Sequence, residues 1–141
     1  MDAPCEEDPK TEELVRELLG RMADRWSLLT MEVLADGELR FSQLRERLPG
    51  ISQKMLTSTL RDLERDGFVS RTVTPTIPPR VDYELTELGM DLRGPLAAIS
   101  EWALRNRERV IAAREKFAEE NPDARPGRVG RVALIEAPRQ R

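Results

Sequence analysis

The feature that most constrains the fold is a change of period. From Leu14 to Leu63 the apolar residues recur at steps of three and four; from Phe68 to Thr86 they alternate with polar ones. The first pattern buries one face of a helix and the second one face of a strand. Between the two alternating runs lies PTIPP, residues 75–79. Three prolines in five residues cannot pair in a ladder, so this segment is read as a stiff hairpin tip. Short helices followed by a two-stranded hairpin define a winged helix-turn-helix, here mainly α with a small β-hairpin.

The helices can be placed from their start and stop signals. Leu14, Val15, Leu18, Leu19 and Met22 make an amphipathic first helix, weakened near its end by Gly20. Asp24 is positioned to cap a second helix with Trp26, Leu29, Val33 and Leu34 inward, and Asp36-Gly37 ends it. Leu39-Arg40-Phe41 is read as extended, and Ser42 as the cap of a third helix with Leu44 and Leu48 inward, closed by Pro49-Gly50. Ser52 caps a fourth helix that runs to about Asp66 before Gly67, burying Leu56, Leu60 and Leu63. Thr86 caps a fifth, which Gly94-Pro95 is expected to kink or restart. Beyond it Leu96, Ile99, Ala103, Asn106, Val110, Ala113 and Phe117 follow a heptad seam. The expected organisation is a flexible acidic arm over 1–12, one domain with its dimerisation helix over 13–120, and a disordered basic tail over 121–141.

Composition limits the chemistry. A chain of 141 residues buries roughly 65–70% of its unfolded surface, so it needs no disulfide or metal staple. It has no histidine and one cysteine, Cys5, which removes the commonest general base and any cysteine-based metal cluster. With no phosphate loop and no clustered carboxylates either, an enzyme, a cofactor and a metal site are all unexpected. No apolar run approaches the ~20 residues of a membrane span, and MDAPCEEDPK lacks the apolar core of a signal peptide. A cytoplasmic protein is expected.

The net charge of −3 argues against a nucleic-acid binder only until its distribution is considered. Residues 1–20 carry two cations against seven anions, whereas residues 52–80 carry Lys54, Arg61, Arg65, Arg71 and Arg80 against Asp62, Glu64 and Asp66. DNA binding needs a local basic face rather than a basic protein. On a wheel of about 100° per residue with Leu56 at zero, Lys54, Thr57, Ser58, Arg61 and Arg65 fall between roughly 100° and 200°, opposite the apolar stripe. Small hydroxyls let a helix approach base edges, and cations reach phosphates or guanine. Gln53 and Lys54 occupy the first turn, where recognition helices touch bases, and Ser52 with the free amides of that turn suits a phosphate. Arg80 follows the proline-rich tip and Arg71 lies in the first wing strand; both are candidate DNA contacts. The alternative for each is an ordinary solvated surface, and for the whole chain a winged-helix protein-interaction module that does not read DNA.

Residues 41–89, FSQLRERLPGISQKMLTSTLRDLERDGFVSRTVTPTIPPRVDYELTELG, resemble the HxlR-type family of winged-helix regulators. Its pattern of F-x-x-L, LPGIS-x-K-x-L and a V-P-P-R-V-E-Y-x-L-T-x-x-G wing reads here FSQL, LPGISQKML and IPPRVDYELTELG, and Trp26 fits the family tryptophan. The resemblance covers about residues 14–103. Ala23-Asp24-Arg25-Trp26 stands where the family usually has Gly-Gly-Lys-Trp, and Pro4-Cys5-Glu6 where many members have Cys-Pro. The resemblance implies a homodimer on double-stranded DNA carrying an inverted repeat, and several members sense oxidants or electrophiles through an N-terminal cysteine, which makes Cys5 a candidate sensor; a repressor is expected. Glu6, Glu7 and Asp8 beside Cys5 disfavour its thiolate. The dimer is expected through the first and last helices, with Leu14, Leu18, Leu96, Ile99, Trp102, Ala103, Asn106, Val110 and Phe117 at the interface. Asn106 is read as a polar register residue in that seam, with an outward-facing position as the alternative. No residue pattern identifies a small-molecule effector.

Overall fold

A computed structural model of the chain describes residues 8–124. The first helix, α1 (Pro9–Ala23), begins inside the segment expected to be an arm. The Asp8 side chain accepts from the Lys10 amide, and Pro9 takes the first helical position, where its missing N–H costs nothing. Asp24 is extended and joins α1 to α2 (Arg25–Leu34); its carboxylate accepts from both the amide (3.0 Å) and the hydroxyl (2.7 Å) of Ser27.

The inward face of α2 differs from the expected stripe. Ser27, Thr30, Met31 and Leu34 are buried, while Trp26, Leu29 and Val33 pack half-buried around the core edge. The short Ser27 and Thr30 side chains allow α2 to lie close against the fourth helix, and Asp24 satisfies the Ser27 hydroxyl. The Trp26 ring is covered by the Arg25 guanidinium, 4.9 Å from its centroid.

Strand β1 is Leu39–Arg40, and α3 (Phe41–Arg47) follows it without a break. Ser42 therefore lies inside the helix instead of capping it; the Arg40 amide donates to Gln43 Oε1 at 2.9 Å. The reason is pairing: Leu39 and Arg40 lie opposite Tyr83 and Asp82, which holds them extended up to the first residue of α3. Helix α4 (Gln53–Arg65) starts as expected, with Ser52 Oγ accepting from the Met55 amide at 3.0 Å. Gly67, at φ 81°, ends the turn after α4, where the Phe68 amide reaches the Leu63 carbonyl at 2.9 Å.

β2 (Val69–Thr74) and β3 (Arg80–Leu85) form the wing, with Val69 opposite Leu85 and Thr74 opposite Arg80. The sheet has three strands in the order β1-β3-β2, one more than the hairpin alone. Met31, Leu34, Leu44, Leu48, Ile51, Leu56, Leu60, Leu63, Phe68 and Val69 make the core. It is drawn entirely from α2, α3, α4, the linker 48–52 and the start of the wing.

Helix α5 (Glu87–Arg105) is capped by Thr86, whose hydroxyl accepts from the Gly89 amide and donates to the Gly67 carbonyl. It is not restarted at Gly94-Pro95 but runs through both. Gly94 has no Cβ to clash with the proline ring, and Asp91, whose carbonyl Pro95 cannot bond, is an exposed residue. The interruption falls instead at Asn106 (φ −103°, ψ 7°), before α6 (Arg107–Glu120). The expected continuous seam is thus two helices, and Asn106 is their joint. Its side-chain amide donates to the Trp102 carbonyl at 2.8 Å and its oxygen accepts from Arg109 at 3.1 Å. Among the described residues no helix is long and apolar enough to cross a membrane.

Candidate nucleic-acid interface

The core stripe of α4 turns its opposite face outward. Gln53, Lys54, Thr57, Ser58, Arg61, Asp62 and Arg65 line one open concavity along that face. Six of the residues singled out in the sequence, Gln53, Lys54, Thr57, Ser58, Arg61 and Arg65, are therefore brought together. Ser52 stands at the head of the helix with its oxygen engaged by the Met55 amide. The Thr57 hydroxyl donates to the Gln53 carbonyl at 2.9 Å, which points its lone pairs outward as acceptors. Lys54, Arg61 and Arg65 make no ion pair among the described residues, so their charges are available to an anionic ligand.

The wing arginines are held differently. Arg71, opposite Tyr83 on the sheet, lies on the side facing α4, and its Nε is 3.8 Å from Glu64 Oε1. Arg80 is the first residue of β3, at the base of the tip; its Nε donates to both oxygens of the buried Asp82 at 3.0 and 3.1 Å. Its terminal guanidinium nitrogens are the part left to reach outward. The tip itself presents Ile77, fully exposed.

Two residues that the wheel did not single out complete the surface. Asp62 adds a carboxylate to the concavity, next to Arg61 and Arg65. Arg21, from α1, bridges it: Arg21 lies 3.0 Å from Asp62 and 2.8 Å from Asp66. The hydrogen bond to Asp66 raises the Arg21 pKa, helped by the charges of Asp66, Asp62 and Asp24. Burial pushes the Tyr83 phenol up, with Glu64 adding to the rise and Arg71 and Arg61 opposing it. Among the described residues no three His, Cys, Asp or Glu side chains are grouped to hold a metal.

Other helices carry exposed apolar side chains. Leu14, Val15 and Leu19 on α1 are exposed, as are Ile99, Trp102 and Leu104 on α5 and Phe117 on α6. Leu18 packs half-buried on the core, Leu96 and Val110 are half-buried, and Ala103 is exposed. Cys5 and the arginines beyond residue 124 lie outside the described residues.

The profile of the HxlR-like helix-turn-helix family matches residues 21–111. The chain belongs to that family. The matched segment takes in the end of α1, the whole winged unit and α5, and stops in the second turn of α6. YtfH of Escherichia coli (strain K12), an uncharacterized HTH-type transcriptional regulator, is 41% identical over 103 residues, 73% of this chain and 82% of its own length. The reduced form of the transcriptional regulator YodB from B. subtilis superposes with a TM-score of 0.59 at 38% identity, covering 68% of this chain and 90% of YodB. The oxidized form of the redox regulator HypR does so at 0.56 and 39% identity, covering 65% of this chain and 95% of HypR. As a member of this family the chain is a helix-turn-helix transcriptional regulator of the DNA-binding type, with α3 and α4 as the two helices of the motif.

Proposed function

We propose that the protein is a cytoplasmic homodimer that binds an inverted-repeat operator in a sequence-specific manner and represses transcription by occupying it. The observation that carries this reading is the outward face of α4, where unpaired cations flank small hydroxyls in one concavity. Bases are contacted by Gln53, Lys54, Thr57, Ser58 and Arg61, and phosphates by Ser52, Arg71 and Arg80. The exposed apolar residues of α1, α5 and α6 join two subunits, which sets the two α4 helices into successive major grooves roughly 34 Å apart.

Selection of binders from a random pool of DNA duplexes tests the reading directly, with reduced protein at low salt. The expected outcome is enrichment of an inverted repeat with half-sites about one helical turn apart. Lys54→Ala and Arg61→Ala then lose about 1–3 kcal/mol of binding each while staying dimeric. Enrichment of nothing would return the protein to the interaction-module reading, and intact operator affinity in both variants would overturn the site assignment.

Cys5 is assigned the redox role within this proposal, because it lies three residues before the Asp8 cap of α1 and because HypR, a relative of similar fold, is a redox regulator. Oxidant or electrophile alters operator binding of the wild type and leaves Cys5→Ser unaffected. An equal response in both would remove Cys5 from the mechanism.

A further inference from the structure

The C-terminal half of α4 carries three carboxylates beside its DNA-facing cations. Counting Asp62, Glu64 and its cap Asp66 against Lys54, Arg61 and Arg65, residues 53–66 are electrically neutral. A neutral helix gains little from a phosphate backbone, since that attraction scales with the cations presented. The structure places an arginine from another element against each carboxylate. Arg21 of α1 spans Asp62 and Asp66, at 3.0 and 2.8 Å, and Arg71 of β2 lies 3.8 Å from Glu64.

The Arg21 site is the more built of the two. Its side chain is only 25% exposed, and those of Asp62 and Asp66 are 30% and 18% exposed. A guanidinium with its donors in a fixed fork suits two acceptors four residues apart on one helix better than a lysine does. Asp62 is the carboxylate that also lines the concavity, and Arg21 lies 3.0 Å from it, so the guanidinium neutralises an anion of the groove that a phosphate would enter.

We propose that Arg21 is a positioning residue for DNA binding: without touching DNA, it masks the charge of Asp62 and Asp66 so that the outward face of α4 reads as cationic. This rests on the proposed DNA-binding reading and adds to it a residue outside the helix-turn-helix motif. The same geometry gives Arg71 a masking role toward Glu64, alongside any phosphate contact.

The test compares operator affinity of the full-length wild type with Arg21→Gln, Arg21→Lys and the triple variant Arg21→Gln/Asp62→Asn/Asp66→Asn, with folding and dimer state read by circular dichroism and sedimentation. Arg21→Gln weakens binding about tenfold at low salt, and the loss shrinks as salt rises because the exposed carboxylates are screened. Arg21→Lys, which keeps the charge, stays within roughly threefold of the wild type. The triple variant lacks the ion pairs as completely as Arg21→Gln does, yet it returns to wild-type affinity because no carboxylate is left unmasked. A folded, dimeric triple variant that binds as weakly as Arg21→Gln overturns the proposal and leaves Arg21 a mere tether between α1 and α4. Should Arg21→Gln unfold under assay conditions, the triple variant against the wild type makes the same decision. A wild type that binds no duplex at all would instead count against the DNA-binding reading itself.

Discussion

At the residue scale the sequence exposes what repeats locally and hides what pairs at a distance. The α4 face of Lys54, Thr57, Ser58 and Arg61 follows from the helical period, because the stripe of Leu56, Leu60 and Leu63 fixes which side is buried. Asp62 was legible by the same wheel, at about 240° beside Ser58. Its partner Arg21 was not, since 41 positions separate them in the chain. Tyr83 is a case where burial makes a pH effect. It is the chain's one tyrosine, and desolvation raises its pKa from the ordinary 10.0. Below pH 10 folded and unfolded chains both hold the proton, and its contribution to stability is fully present. As pH rises further the unfolded chain releases the proton first, so stability falls through the raised native value. Above about pH 10, chemical unfolding of the wild type shows a steeper loss of stability than that of Tyr83→Phe. Parallel curves for the two proteins would mean that the phenol titrates alike in both states.

At the element scale most of the architecture was legible, and the differences have local causes. The change of period located the wing, and Ser52, Thr86 and Gly67 marked helix ends that the structure keeps. The start of α1 was signalled by Asp8-Pro9, a cap followed by a proline at the first helical position, within a stretch whose acidity resembled an arm. β1 has two residues, too few for any periodicity, and its strand character comes from Tyr83 and Asp82 across the sheet. The inward turn of Ser27 and Thr30 runs against their polarity: Asp24 accepts from the Ser27 hydroxyl, while the Thr30 hydroxyl has no hydrogen-bond partner among the described residues. Asn106 fits a heptad numerically, yet its side-chain amide closes α5 on the Trp102 carbonyl and its oxygen accepts from the Arg109 side chain. The joint between wing and α5 leaves no room for a side chain: a Cβ built on Gly89 would meet the Phe68 carbonyl oxygen at 2.3 Å. A glycine in an ordinary helix gains about 0.5–1 kcal/mol on replacement by alanine. Gly89→Ala instead costs about 1–3 kcal/mol, because backbone must move to admit the methyl. Thermal or urea unfolding reads the sign, and a stabilised variant would show that α5 can shift off the wing base freely.

At the scale of the whole molecule, burial divides the chain in two. The core lies within residues 31–69, whereas α1 and α6 bury none of their residues and α5 buries Gly89 alone. Helices with apolar faces of this extent are stable in proteins when those faces pack against something. In the proposed dimer a second copy of the chain would satisfy that need and would also fix the spacing of two α4 helices, which one subunit cannot do. Ile99 and Trp102 are 63% and 55% exposed on α5, so replacing both with glutamate removes apolar contact area without opening the core. Ile99→Glu/Trp102→Glu is therefore expected to sediment as a folded monomer with the wild-type helical spectrum. Its operator affinity falls by about 10²–10⁴, since the second half-site is no longer held at high effective concentration. Salt separates this from general damage. One subunit makes half the phosphate contacts of two, so the slope of log affinity against log salt drops to about half that of the dimer. A variant that stays dimeric would move the interface away from this face of α5. A monomer that keeps the full slope would mean that one subunit carries all the phosphate contacts, and the two-groove geometry would fall with it.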